Sequence, residues 1–133
     1  MPETEICRVR TATLDIAYRA FGPANGPAVI LLHGFPDDIG AYAAVAPALA
    51  ADGYCVLTPW LRGYGPTRFR DPASPRSGEQ AALGADLRDF LAALAIDRAT
   101  LAGYDWGGRA ACVVAALWPD LVRGLVTIGG YNI

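Results

Sequence analysis

Two kinds of hydrophobic pattern alternate along the chain. Ile6 to Arg10 and Leu14 to Ala20 change character at every second position. Ile6, Arg8 and Arg10 stand against Cys7 and Val9, and Leu14, Ile16 and Tyr18 against Asp15 and Arg19. Period two with one wet face predicts a β-hairpin, turned near Thr11-Ala12-Thr13. Gly22 to Pro27 is a turn cluster. Ala28-Val29-Ile30-Leu31-Leu32 is apolar without a break, as expected of a strand buried on both faces of a parallel sheet. Tyr54 to Thr58, Ala99 to Ala102 and Leu125 to Ile128 repeat that short apolar form.

Between these runs the period becomes helical. Tyr42, Val45, Ala46, Leu49 and Ala50 share one face of a helix over Tyr42 to Asp52, which Gly53 stops. Pro47 inside it calls for a kink or a late start. Ser77 and Gln80 have capping-box spacing, and Leu83, Leu87, Phe90, Leu91 and Leu94 follow at helical spacing. A third helix over Arg109 to Trp118 carries Val113, Val114 and Leu117. Pro59 to Pro75, rich in Arg, Gly and Pro, reads as a loop. A hairpin followed by strand and helix in repetition predicts an α/β fold, a mostly parallel sheet with helices on both faces. Ligands of such sheets sit outside the carboxyl ends of the strands. His33 to Pro36 and Gly103 to Gly107 both lie at such ends, on strands expected to be neighbours.

Gly103-Tyr104-Asp105-Trp106-Gly107 has the spacing of a nucleophile elbow, a sharp turn from strand into helix that holds one side chain over the end of the sheet. The glycines two residues either side let strand and helix pass closely. The usual middle residue is Ser, and here it is Asp105. A carboxylate that attacked an acyl carbon would leave a high-energy anhydride. Attack on a saturated carbon, with epoxide oxygen or halide leaving, gives an ordinary ester that activated water can hydrolyse. Asp105 therefore points to epoxide opening or halide displacement.

Composition narrows the class. The 133 residues make one domain with a real core; 53% are hydrophobic and 18% charged, which excludes a disordered chain. A net charge of −2 gives no attraction to nucleic acid or anionic membrane, and neither is expected as a partner. Cys7, Cys55 and Cys112 are far apart and lack metal-ligand spacing, so reduced thiols and no metal or cofactor are expected. The N-terminal Met1 to Glu5 lacks an apolar signal core and no run reaches membrane-spanning length, which sets a cytoplasmic expectation.

Three ordered motifs, His33-Gly34-Phe35-Pro36, Arg62-Gly63-Tyr64-Gly65 and Gly103 to Gly108, resemble the α/β-hydrolase fold, and its epoxide hydrolases most closely. The resemblance covers the N-terminal half of that family's catalytic domain. It implies a single partial domain over residues 1–133, a truncated fold with about six of the family's eight strands and no cap. It implies that Asp105 is the nucleophile and that the backbone N–H groups of Phe35 and Trp106 form the oxyanion hole. His33, Gly34, Pro36, Gly103 and Gly107 are implied as structural support, His33 by bracing the oxyanion loop. The implied substrate is a small apolar epoxide or halide. Asp followed by Trp is shared with haloalkane dehalogenases, while Phe35 is similar to epoxide hydrolases. Trp60 stands where the family often has Asp.

Other residues take plainer readings. Arg62, Arg68 and Arg70 are expected to be a solvated basic loop, and Asp37 and Asp38 to start the first helix. The resemblance also implies a water-activating His, an acidic partner and cap tyrosines, and this sequence supplies none of them. It describes an epoxide-hydrolase-type enzyme seen as a truncated chain or as one of two chains, or a non-catalytic remnant acting as an interaction piece. The run Leu125 to Ile128 is expected to be an unguarded apolar edge that invites self-association.

Overall fold

The computed structural model describes residues 5–130. Its strands are β1 (Cys7–Arg10), β2 (Leu14–Phe21), β3 (Ala28–Leu32), β4 (Cys55–Pro59), β5 (Arg68–Phe69), β6 (Ala99–Tyr104) and β7 (Val122–Ile128). Its α-helices are α1 (Val45–Ala51), α2 (Gln80–Ala93) and α3 (Trp106–Leu117). The main sheet runs β1-β2-β4-β3-β6-β7, with β5 paired to β2. β1, β2 and β4 pair antiparallel, whereas β4, β3, β6 and β7 run parallel. The α/β architecture read from the hydrophobic pattern is thus observed, and β3 and β6 are neighbours paired from Ala28 with Ala99 to Leu32 with Gly103.

The unbroken apolar run of β3 serves two layers at once. Ile30 and Leu32 face a core built with Leu83, Leu87, Phe90 and Leu91 of α2 and with Ala110, Ala111 and Val114 of α3. Val29 and Leu31 face the opposite layer, with Ala46 of α1 and Val56 of β4. Successive side chains of a strand point to opposite faces, so a strand covered on both sides has no polar positions to spare. Gly84 of α2 lets the helices close up, since a Cβ there would lie 2.4 Å from Val113 Cγ1.

Several local expectations change. The first helix starts late, at Val45, after a 3-10 turn over Ile39–Tyr42, which puts Pro47 in the first helical turn, where its missing N–H costs nothing. Asp38 begins that 3-10 turn, its Oδ1 accepting from Gly40 N–H at 2.7 Å. The capping box at Ser77 and Gln80 does not form. The α2 N-cap is Glu79, without a side-chain bond, and Ser77 Oγ accepts from Glu79 N–H at 3.3 Å. The Ser77 carbonyl accepts from Arg62 Nη1 at 3.0 Å. The loop from Pro59 to Pro75 contains β5, held by pairing Leu14 with Phe69 and Asp15 with Arg68.

The basic loop is not simply solvated either. Arg62 donates through Nε and Nη2 to Asp86 of α2 at 2.6 and 2.7 Å. Burial raises the Asp86 carboxyl above its ordinary value, and the guanidinium opposes that rise. Arg70 donates to Thr11 O at 2.7 Å, and Arg68 to Thr67 O at 3.0 Å.

β7 begins earlier than expected, at Val122, and stands at the end of the sheet. Leu125, Val126 and Ile128 are 42%, 53% and 70% exposed, so one side of the parallel sheet ends in an apolar strand. Unpaired edges of this kind pair with other chains. Sedimentation of the chain at tens of micromolar is expected to show concentration-dependent association, reduced in Val126→Lys. A monodisperse monomer, or association unchanged by Val126→Lys, would count against this edge.

Candidate active site

The site is built where β3 and β6 end side by side. β6 runs into Asp105, and α3 starts at the next residue. Asp105 has φ 53° and ψ −126°, a backbone conformation that L residues rarely hold and that occurs mainly where function needs it. The surroundings enforce it. Asp105 N–H donates to Ile128 O at 3.2 Å, and Asp105 O accepts from Arg109 N–H at 3.1 Å. A Cβ on Gly103 would lie 2.6 Å from the Gly107 carbonyl carbon, and one on Gly107 would lie 2.3 Å from Leu32 O. Both glycines are therefore demanded by backbone passing backbone.

Gly34 plays the same part from the β3 side. A Cβ there would lie 2.5 Å from Asp105 Cβ, so only glycine lets the loop after β3 reach the elbow. The next residue, Phe35, then donates its N–H to Asp105 Oδ2 at 3.0 Å, while its side chain is 68% exposed. The peptide bond from Phe35 to Pro36 is cis. Hydrogen bonds from the Phe35 and then the Trp106 backbone N–H hold the Asp105 carboxyl below its ordinary value, helped by the charge of Arg109 and opposed by burial. Asp105 also lies at the N-terminal end of α3, where free N–H groups favour an anion. The sequence-predicted nucleophile and both predicted oxyanion donors are thus in one place.

His33 is fully buried just beneath. Its Nε2 accepts from Leu61 N–H at 3.1 Å and its Nδ1 lies 3.3 Å from Gly34 O, so both ring nitrogens are used and the neutral ring has Nδ1 protonated. Burial holds its pKa below the ordinary histidine value. His33 braces the loop after β3 against the loop after β4.

Two tyrosines that motif reading left out flank the carboxylate. Tyr64 stacks edge-on against His33, with centroids 4.8 Å apart. Tyr104 donates its hydroxyl to Asp37 Oδ2 at 2.8 Å. Burial raises both phenols above their ordinary value, and the Asp105 charge raises them further. Tyr64 is legible only as part of Arg62-Gly63-Tyr64-Gly65, and Tyr104 as the unassigned position within the elbow. Trp60, unaccounted for by motif, is buried with Ala17 and Ile39.

Space opens on both sides of the elbow. A cleft of about 340 Å³ is lined by Tyr64, Phe69, Leu83 and Trp106, with Arg62 and Arg76. On the α1 side, a groove of about 630 Å³ reaches Asp105 itself between Tyr42, Leu49, Tyr104, Val126 and Ile128. Arg109 lies over the Trp106 ring at 4.6 Å. Among the described residues no group of His, Cys, Asp and Glu could hold a metal, and no helix is long and apolar enough to cross a membrane.

Two outcomes test this geometry. Gly107→Ala is expected to destabilise the chain by about 2–3 kcal/mol in urea denaturation, because the backbone at Leu32 must move. A change below about 1 kcal/mol would mean that the strands are not locked here. A carbon-13 carboxyl titration is expected to place Asp105 below its ordinary 3.8. Because folding lowers this carboxyl, its stabilising contribution is full above the ordinary value and is lost as pH falls through the folded one. A midpoint at or above 3.8 would remove the Phe35 hydrogen bond from consideration.

Residues 27–133 match the family described as alpha/beta hydrolase fold. A haloalkane dehalogenase of Mycobacterium marinum is 35% identical over 96% of this chain and 42% of its own length. Epoxide hydrolase 3 of Siraitia grosvenorii is 38% identical over 96% of this chain and 39% of its own length. A crystal structure of a Klebsiella pneumoniae protein, proposed to be an epoxide hydrolase, superposes with a TM-score of 0.95 at 52% identity, over 97% of this chain and 43% of that one. The chain thus spans about two fifths of the length of these relatives. It belongs to the α/β-hydrolase fold family and is related to epoxide hydrolases and haloalkane dehalogenases.

Proposed function

We propose that Asp105 is an alkylating nucleophile that opens epoxides. The observation that supports this best is the Phe35 N–H on Asp105 Oδ2 at 3.0 Å, with the carboxyl held below its ordinary value. With Oδ2 bound, Oδ1 attacks a ring carbon of the epoxide. The C–O bond to that carbon breaks, the ring oxygen leaves with the bonding pair and takes a proton, and an ester joins Asp105 to the substrate. Oδ2 becomes the ester carbonyl oxygen. When water later attacks that carbonyl, negative charge builds on Oδ2, where the Phe35 N–H already points. Hydrogen bonds formed before the reaction need no reorganisation when the charge develops.

The second half-reaction needs a base to activate water, a contribution of roughly 10²–10⁴-fold. The sequence has one histidine, His33, and both of its nitrogens are engaged. We therefore infer that, when residues 1–133 are tested alone, an ester formed on Asp105 persists. Halide displacement is the second reading, supported by the Mycobacterium marinum relative and by Trp106 beside Asp105. A non-catalytic interaction piece is the third.

Intact-mass analysis and peptide mapping after incubation with styrene oxide are expected to show one stable adduct on the Asp105 peptide. The adduct is absent in Asp105→Asn and retained when Cys7, Cys55 and Cys112 are replaced. The thiols are the rival nucleophiles: Cys7 and Cys55 are half-buried, Cys112 is buried, and burial raises the Cys55 thiol. An alkyl bromide that labels Asp105 with bromide release, when the epoxide does not, would select the halide reading. Labelling unchanged in Asp105→Asn would leave the elbow without a chemical role. Steady multiple turnover by this chain would overturn the stalled ester.

A further inference from the structure

The cleft beside Trp106 joins apolar walls to a cation that no carboxylate among the described residues neutralises. Tyr64, Phe69, Leu83 and Trp106 form the walls, and Arg62 and Arg76 the polar side. The two arginines are in different states. Arg62 is committed, with two bonds to Asp86 and one to Ser77 O. Arg76 is exposed, and its guanidinium stands over the Phe69 ring, 4.0 Å from the centroid. Its hydrogen bond to Pro72 O is long, at 3.5 Å. Among the described residues the ion pairs are Arg8 with Asp15, Arg62 with Asp86 and Arg88 with Asp89, so Arg76 has no carboxylate partner there.

We propose that this cleft selects substrates with an apolar, preferably aromatic, body and one carboxylate, the carboxylate binding Arg76. The assignment rests on the reading of Asp105 as nucleophile; Asp105 adjoins the cleft through two of its lining residues, Trp106, which follows it, and Tyr64, which feels its charge. A guanidinium fork matches a carboxylate in geometry as well as charge. Stacking on Phe69 fixes the plane of the fork in advance and leaves its N–H edge for a ligand. The charge layout also orients the substrate. Asp105 is an anion whose field already reaches Tyr64 in the cleft wall. A substrate carboxylate is repelled from that end and drawn to Arg76, which leaves the uncharged electrophilic end for Asp105. Because Arg76 stands at the rim, the carboxylate keeps part of its hydration and the desolvation cost stays small.

The test compares phenylpropanoate with phenylpropanol, which share the aromatic body and differ in charge, by following the Trp106 indole resonance during titration. The carboxylate is expected to bind about fivefold more tightly, the size of an exposed ion pair. Arg76→Gln is expected to abolish the difference, and molar salt to shrink it. Equal affinities in the parent chain, or a preference that survives Arg76→Gln, would overturn the proposal. Labelling with styrene oxide and with its ring-carboxylated analogue separates this idea from the one beneath it. Asp105 labelled equally fast by both epoxides sinks the Arg76 assignment and leaves the nucleophile standing. An Arg76-dependent preference in binding, with no label on Asp105 from either epoxide, upholds the anion site and removes the nucleophile.

Discussion

Everything at this site depends on three stretches of backbone passing closer than side chains allow. The end of β3, the end of β6 and the first turn of α3 meet at Gly34, Gly103 and Gly107. A Cβ at any of them would come within 2.6 Å of a neighbouring heavy atom. That approach is what brings Phe35 N–H to 3.0 Å from Asp105 Oδ2. The strained φ of Asp105 is the other side of the same constraint. A strand can turn straight into a helix and still project its corner residue only by leaving the favoured backbone regions, at a cost of order 1–3 kcal/mol. Dense packing on both layers of the sheet supplies the opposing stabilisation.

Two polar anchors hold the loops that line this corner. His33 works from below, tying the Gly34 carbonyl to the Leu61 N–H. Since the ring is buried and neutral, it satisfies backbone groups without a charge to desolvate. Arg62 works from the side, pinning the loop after β4 to α2 through Asp86 and to Ser77 through its carbonyl. The α2 N-cap, Glu79, makes no side-chain bond, while the Ser77 carbonyl beside it serves Arg62. The guanidinium thus shapes the cleft wall rather than serving as a binding charge. That division of labour leaves Arg76 as the cation available at the rim.

Local pattern by itself determined much of this protein. The unbroken apolar run at β3, five residues long and followed by His33-Gly34, reads as a strand covered on both faces, since a strand with one wet side would alternate with polar residues. Glycines two residues either side of Asp105 reveal the elbow, because their spacing follows from a contact only a few residues long. Tertiary structure decided what depends on partners distant in sequence. Arg62 looked solvated because Asp86 lies 24 residues away. β5 escaped notice because two residues have no period, and pairing with β2 alone makes them a strand. The bracing role of His33 was implied by its motif, but its partner Leu61, 28 residues on, was not, and neither was the Asp37 partner of Tyr104, 67 residues back. Periodicity reports which face of an element is buried. Which polar group a side chain meets is set by the order in which strands lie in the sheet, and no short stretch of sequence contains that order.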